Sequence, residues 1–213
     1  MENLQVDIRI LELLSSRMCH DLVSPVGAIN NGVELIEEVG GNTTGDALQL
    51  IAKSAVQAAR RLRCFRLAYG RAGSESGLSV NDVRQVAEHY LEGGKSKLVW
   101  PATTPISAYA EHRGALKLLL NICIIAEEIL AYGGIIQVEG EAGSPKVTIS
   151  ITGRGAHVPD HLTAAIANSL DIDEITSKTV HSYITARLAE YYGFRIAAEA
   201  AGEDAVTITL VRT

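Results

Sequence analysis

The chain has 213 residues and a formal net charge of −6, which suits two small domains and argues against binding of nucleic acid. Aromatic residues make up only 5% of it, too few for base-stacking surfaces. The longest apolar run, residues 116–125, is interrupted by Lys117 and Asn121 and is too short to cross a bilayer. The N-terminus resembles no secretory signal and the cysteines lack metal-binding spacing, so we expect reduced thiols in a cytoplasmic protein.

Residues 6–39 are predicted to form one long helix, because apolar and small residues recur with the spacing of a helix-bundle seam. Pro25 lies inside it and is expected to bend it, since proline lacks an amide donor. At about 100° per residue, His20 lies roughly 160–200° from Met18 and Leu22. His20 should therefore point away from the seam, either as a solvated surface side chain or as a nucleophile. The predicted seam consists of Leu11, Ser15, Met18, Leu22, Pro25, Ile29, Gly32 and Ile36.

A second helix is predicted from Thr44 or Asp46 to about Tyr69, after a turn at residues 40–42. Its seam is rich in alanine, so we expect close approach to its neighbours. Two helices alone bury too little surface to be stable. The hairpin is therefore predicted to pair with a second copy in a four-helix bundle, which makes the protein a homodimer. The predicted seam of this helix consists of Leu48, Ala52, Ala55, Ala59, Leu62 and Tyr69.

Residues 72–77 are small and polar, and they are predicted to join a helical domain, residues 1–73, to a second domain, residues 78–213. The second domain mixes short helices and strands, which predicts an α+β sandwich with helices on one face of a single sheet. Its predicted helices span residues 80–91, starting at Ser79 or Asn81, and residues 111–132, 160–169 and 178–192. Its predicted strands span residues 97–100, 106–109, 135–141, 146–152, 195–200 and 205–211.

Two local patterns suggest chemistry but have simpler interpretations. Gly94-Lys95-Ser96 resembles the end of a phosphate-binding loop, yet His89 stands where the motif needs its first glycine. The order of helix and strand around this segment is also the reverse of what the motif requires. Glu127 and Glu128 have no histidine at metal-ligand spacing and are predicted to lie on a solvated face.

The second helix is strongly basic, and a solvated helical face is the simplest interpretation of its charges. The charges lie on the same hairpin as His20, however, where they would suit an acidic partner or a phosphoryl group. We therefore take Arg60, Arg63 and Arg66 as candidate docking residues.

Helical phase places further candidates on the turns before and after His20, on nearly the same face. Arg17 or Ser24 could contact phosphoryl oxygens there. Gly27 leaves room for the backbone of a partner to approach. The candidate residues on this face are Arg17, Ser24, Gly27 and Asn31.

The segment His20-Asp21-Leu22-Val23-Ser24-Pro25 resembles the phosphoacceptor box of sensor histidine kinases. In that box a histidine is followed by an acidic residue, a leucine and, five positions after the histidine, a proline. The order of the parts, a helical hairpin and then an α+β sandwich, also resembles the kinase core. The resemblance implies that His20 accepts a phosphoryl group and that Asp21 orients or polarises its imidazole.

The segments that would bind ATP in a kinase depart from the kinase pattern. Ile125 stands where kinases hold Mg²⁺ with an asparagine, and Ile151 stands where an aspartate reads the adenine amino group. Residues 177–182 contain no glycine, although kinases have a glycine-rich lid there. The side chain of isoleucine can neither ligate a metal nor accept a hydrogen bond. We therefore expect a histidine-kinase-ATPase-like α/β sandwich that uses no nucleotide cofactor.

Residues 16–34, around His20, resemble the signature of ChpT-type histidine phosphotransferases, which are dimers with a kinase-like bundle and a degenerate ATPase-like domain. The resemblance implies a two-component phosphorelay in which His20 forms a phosphohistidine. Response-regulator receiver domains would dock on the bundle and on part of the sandwich, donate and accept the phosphoryl group, and supply the Mg²⁺. Two alternatives remain open from the sequence: a histidine kinase with an atypical ATP site, and a non-catalytic dimeric adaptor that sequesters response regulators.

Overall fold

Two long helices form the N-terminal part of the protein. The computed structural model describes residues 7–38, 44–71 and 77–213. Helix α1 spans Ile8–Glu38 and helix α2 spans Thr44–Ala68, so both predicted helices are confirmed, while the predicted turn at residues 40–42 lies outside the described residues. The two helices run antiparallel, because Gly32 of α1 faces Ile51 of α2 whereas the earlier Asp21 faces the later Arg61. A Cβ atom on Gly32 would lie 2.7 Å from Ile51 Cγ1, so the close approach of the helices requires glycine there.

The two predicted seams differ in how much of each is buried within a single chain. Pro25 of the α1 seam is buried, as predicted. The residues that α2 buries lie on a different face, for example Ala47 and Phe65, whereas Leu48 and Leu62 of its predicted seam are 55% and 53% exposed. The buried face of α2 packs against α1 and the sandwich. The alanine-rich stripe of α2 is therefore left on the outside of the single chain.

Helix α3, Val80–Leu91, begins the second part of the chain, beyond the predicted linker, of which residues 72–76 lie outside the described ranges. Ser79 caps it: its hydroxyl accepts a hydrogen bond from the backbone N–H of Asp82 at 3.1 Å, and the Asp82 carboxylate accepts one from the backbone N–H of Ser79 at 3.0 Å. These reciprocal bonds select Ser79 rather than Asn81 as the start of the helix. Strand β1, Ser96–Val99, follows.

The strand predicted at residues 106–109 is wrong, because the structure has a short helix, α4, at Ser107–Ala110. Ile106 and Tyr109 are 1% and 0% exposed, and one helical turn points both toward the core. A strand would send side chains three positions apart to opposite faces. The Tyr109 hydroxyl also donates to the Ala115 carbonyl oxygen at 2.9 Å, which ties α4 to the start of the next helix.

Helix α5, Ala115–Ile129, crosses the centre of the sandwich and is shorter than the predicted range of 111–132. It begins after Gly114, whose φ of 83° is left-handed, and a Cβ atom on Gly114 would overlap the Tyr192 ring. Nearly every residue of α5 is buried, which explains why apolar residues lie on all sides of this helix. Across the described ranges, no helix is both long and apolar enough to span a membrane.

A single mixed sheet forms the other layer of the sandwich. Strands β2, β3, β4 and β5 span Gly134–Gly140, Lys146–Thr152, Phe194–Gly202 and Ala205–Arg212, and the strand order is β1-β2-β3-β5-β4. Only the β1–β2 pair is parallel. Val138, Ile149 and Ile208 stand side by side across the sheet and are buried, while residues between them on each strand are more exposed. The sheet is therefore covered by helices on one face, as predicted.

Helices α6, Asp160–Ile166, and α7, Val180–Tyr192, complete the helical layer, with a short 3-10 helix at Ile172–Glu174 between them. The end of α2 enters the same hydrophobic core, since Cys64 and Ala68 are 0% exposed within it. A smaller apolar cluster joins Ile10, near the start of α1, to Val180 at the start of α7. These two contacts hold the helical hairpin against the sandwich and fix the face on which His20 lies.

Candidate functional site

His20 projects from α1 into solvent, with 85% of its side chain exposed. The prediction that it points away from the seam is therefore confirmed. Ser24 and Asn31 are also exposed on the following turns, and outside the adjoining backbone of α1 no atom lies within 4 Å of the place where a Cβ on Gly27 would stand. The candidates one to three turns beyond His20 thus form one open face, beside an exposed apolar residue, Val23.

Asp21 is mostly buried, with 13% of its side chain exposed, and it lies between His20 and two arginines. Its Oδ1 atom is 3.3 Å from His20 Nδ1. Its Oδ2 atom is 3.3 Å from Arg17 Nε and 3.7 Å from Arg61 Nη1. A carboxylate in this position accepts the hydrogen on Nδ1, and the lone pair is then on Nε2.

Arg17 turns toward the sandwich as well as toward Asp21. Its Nη2 donates to Glu128 Oε1 at 2.5 Å, and its Nη1 donates to the Ser177 carbonyl oxygen at 3.4 Å. Burial disfavours the charge on Arg17, but Glu128 and Asp21 outweigh it and raise the pKa of the guanidinium. In the structure, each of the three guanidinium nitrogens of Arg17 already has a protein partner. The contact of Arg17 with phosphoryl oxygens stays a prediction.

Glu128 is an unexpected member of the site, and the predicted solvated face is wrong for this residue. Its carboxylate meets Arg17 and lies 3.6 Å from Nδ1 of His181, a side chain that is only 1% exposed. Burial opposes the charge, but His181 and Arg17 outweigh burial and lower the pKa of Glu128. The neighbouring Glu127 is different, because burial raises its pKa and its hydrogen bond is made with Tyr90. Arg17 and Glu128 are 111 positions apart, so no local sequence pattern predicts that they form an ion pair.

The three predicted docking arginines lie along α2 in unequal surroundings. Arg60 forms an ion pair with Glu92 at 2.7 Å, while Arg63 and Arg66 are exposed. Arg61, which was not among the candidates, is the residue of this basic helix that reaches Asp21, and it also lies over the ring of Tyr90 at 5.7 Å. The basic pattern thus located the right helix without identifying the arginine that contacts the site.

The positions that replace the kinase ATP motifs are used for packing. Ile125 of α5 is 1% exposed and Ile151 of β3 is 0% exposed, and both belong to the main hydrophobic core. Residues 180–182 form the buried first turn of α7. Within residues 7–38, 44–71 and 77–213, no cluster of histidine, cysteine or acidic side chains is arranged to hold a metal ion.

A helical hairpin that presents an exposed histidine, packed on an α+β sandwich, has the architecture of a histidine phosphotransfer protein. A family model for the histidine phosphotransferase C-terminal domain matches residues 80–204. The protein phosphotransferase ChpT of Brucella abortus (strain 2308) is 36% identical over 198 residues, which cover 91% of each chain. A solved structure of a bacterial phosphotransferase is 31% identical, with a TM-score of 0.77 over 98% of both chains. The chain therefore belongs to the histidine phosphotransferase family.

Proposed function

We propose that His20 carries a phosphoryl group between the aspartates of two receiver domains in a two-component phosphorelay. The observation that carries this proposal is the geometry of the ring: the side chain is 85% exposed while Nδ1 is 3.3 Å from Asp21. Nε2 is thereby presented to a partner with its lone pair available.

The transfer follows from this geometry. Nε2 of His20 attacks the phosphorus of the aspartyl phosphate, a P–N bond forms, the P–O bond to the aspartate breaks, and the free carboxylate leaves. The ring then carries a positive charge, which Asp21 stabilises through Nδ1–H. A second receiver aspartate reverses the step and takes the phosphoryl group from Nε2. Such transfer depends mainly on positioning and charge stabilisation, and the receiver would contribute the Mg²⁺ that balances the phosphoryl charge.

The partner surface would be the open face of α1. Val23 is 68% exposed beside His20, and the empty space at Gly27 admits a partner backbone. Arg63 and Arg66 are exposed on the neighbouring helix, where they suit the acidic pocket of a receiver. Burial of Ile125 and Ile151 supports a phosphoryl source other than ATP.

The protein is also proposed to act as a homodimer. Exposed large apolar side chains concentrate on the two hairpin helices, and a second copy of the hairpin would cover such a surface in a four-helix bundle. Within the described parts of the hairpin, the exposed large apolar side chains are those of Ile8, Leu11, Val23, Val26, Val33, Leu35, Leu48, Leu50, Val56 and Leu62.

The three free thiols, Cys19, Cys64 and Cys123, support a reducing compartment such as the cytoplasm.

A relay assay tests the proposal. The protein is mixed with a receiver domain carrying a radiolabelled phosphoryl group, and then with a second, unlabelled receiver. Label should pass to the wild-type protein and onward, and His20→Ala should abolish both steps. His89→Ala, which removes another exposed histidine from a helix, should transfer normally. Labelling of the His20→Ala protein, or no labelling of the wild type, would refute the proposal.

A further inference from the structure

We propose that Glu128, which belongs to the sandwich, is a positioning residue for His20 and acts through Arg17 and Asp21. The inference rests on the proposed phosphoryl transfer at His20. It adds a residue from α5 to a site that is otherwise built on the hairpin helices.

Arg17 is shared between two carboxylates. Its Nε lies 3.3 Å from Asp21 Oδ2, and its Nη2 lies 2.5 Å from Glu128 Oε1. A guanidinium is planar and its donors have a fixed geometry, so holding one part of it sets the direction of the rest. Glu128 therefore limits Arg17 to one oxygen of Asp21. The other oxygen, Oδ1, is left for His20 Nδ1.

Glu128 lies at the outer end of a buried chain of contacts. His181 Nδ1 lies 3.6 Å from Glu128 Oε1, which is longer than a hydrogen bond, and His181 Nε2 lies 3.1 Å from Asn121 Oδ1. The Asn121 amide donates to the carbonyl oxygens of Ala68 and Lys117, both at 2.9 Å. Because both amide hydrogens are used in this way, Oδ1 of Asn121 is the acceptor and His181 Nε2 the donor. The chain thus runs from the core of the sandwich to the edge of the phosphoacceptor site.

Glu128 is ionised at neutral pH, because His181 and Arg17 keep its pKa below the ordinary value despite burial. Its carboxylate therefore keeps its ion pair with Arg17. Burial lowers the pKa of His161, which lies near the same carboxylate. The titratable groups around Glu128 are Arg17 and Asp21 of α1, Tyr69 just after α2, Glu127 of α5, His161 of α6 and His181 of α7.

The consequence concerns the tautomer of His20. Without the Glu128 carboxylate, Arg17 keeps the longer contact of Nη1 with the Ser177 carbonyl oxygen at 3.4 Å, but it can turn more of its donors onto Asp21 and draw it away from Nδ1. The ring then gains the tautomer with hydrogen on Nε2, which has no lone pair at the attacking nitrogen. The sandwich would in this way contribute to phosphoryl transfer without binding a nucleotide.

Glu128→Gln tests the inference, and Asp173→Asn is its matched control. Asp173 also ties α1 to the sandwich through an arginine, since Arg9 Nη1 lies 2.8 Å from its carboxylate, but this pair does not touch Asp21. The readouts are the ¹⁵N shifts of the two His20 ring nitrogens and the single-turnover rate of transfer from a phosphorylated receiver. Glu128→Gln should shift His20 toward the Nε2–H tautomer and slow transfer roughly tenfold, at an unchanged half-saturating receiver concentration. Asp173→Asn should match the wild type in both readouts.

Arg17→Lys keeps the positive charge but cannot bridge the two carboxylates with a planar fork, so it should produce the same tautomer change. If the NMR spectrum shows that Glu128→Gln does not fold, the His20 tautomer in Arg17→Lys tests the inference instead. A wild-type tautomer in either folded variant would overturn the inference. A wild-type protein that accepts no phosphoryl group would instead refute the proposed function, so the two failures are distinguishable.

Discussion

Asp21 illustrates how much of the site depends on residues that a motif does not contain. The His-Asp pattern predicts an acid next to the nucleophile, but adjacent helix positions diverge by about 100° and need not interact. In the structure, Arg17 and Arg61 lie beside Asp21 Oδ2, and the other oxygen lies near His20 Nδ1. The local sequence therefore predicted the pair, while the arrangement that makes it useful depends on tertiary contacts.

Asp21→Asn should slow phosphoryl transfer without abolishing it. The amide keeps the shape of the side chain but loses the negative charge that stabilises the phosphorylated ring, so we expect a decrease of roughly tenfold or more. Single-turnover transfer from a phosphorylated receiver measures the effect, with His20→Ala as the inactive reference. An Asp21→Asn rate equal to wild type would show that the contact at 3.3 Å has no part in the transfer.

Two glycines of α1 should respond in opposite ways to alanine. Outside the adjoining backbone of α1, no atom lies within 4 Å of the position that a methyl group would take on Gly27, so Gly27→Ala should raise the free energy of unfolding by about 0.5–1 kcal/mol through helix propensity. A methyl group on Gly32 would lie 2.7 Å from Ile51 Cγ1, so Gly32→Ala should lower the free energy of unfolding by about 1–3 kcal/mol. Urea unfolding at one protein concentration compares them. Equal effects of the two substitutions would contradict the close packing at Gly32.

At the scale of secondary-structure elements, periodicity was informative where an element is long and has one covered face. The helices α1 and α2 were predicted from such spacing. The prediction failed at α4 because residues 106–109 are too few to distinguish a strand from a helical turn. The partnership of Glu128 with His181 could not be foreseen either, because it depends on how α5 and α7 pack together.

The ion pairs of Glu128 should make the packing of α1 on the sandwich dependent on pH. The pKa of Glu128 is lowered on folding from an ordinary value of 4.5, so its stabilising contribution is fully present above that pH and is lost as the pH falls through the lowered pKa. Glu128→Gln should cost about 2 kcal/mol of unfolding free energy at neutral pH, and less in acid.

Glu127→Gln is the control for this prediction. Burial raises the pKa of Glu127, so removing its charge should leave stability at neutral pH unchanged or higher. Urea unfolding at pH values on either side of that ordinary pKa provides the measurement. Equal losses in the two variants, or a Glu128→Gln loss that does not shrink in acid, would be incompatible with the ion pairs seen here.

At the scale of the whole molecule, the order of the parts was predictable but their junction was not. Composition indicated a linker and two domains, and the resemblance implied a hairpin followed by a sandwich. The structure adds that Cys64 and Ala68 at the end of α2 enter the sandwich core, and that Ile10 packs with Val180. Such contacts join segments that are distant in sequence, and no local pattern encodes them.

The proposed dimer should depend on the stripe that a single chain leaves exposed. Leu62→Glu places a charge on a side chain that is 53% exposed in the single chain and would be buried between two hairpins. Sedimentation should show a monomer for this variant and a dimer for the wild type. Tyr191→Glu, at a 47% exposed position on the sandwich, should remain dimeric. A dimeric Leu62→Glu protein would argue against the bundle as the interface.

His20 is proposed to be the residue that carries the phosphoryl group. Mass spectrometry of peptides kept at alkaline pH, after incubation with a phosphorylated receiver, identifies the phosphorylated residue. We expect an acid-labile, base-stable phosphoramidate on the peptide that contains His20, and no such bond in His20→Ala. A stable phosphate on another residue, or label that persists in His20→Ala, would contradict it.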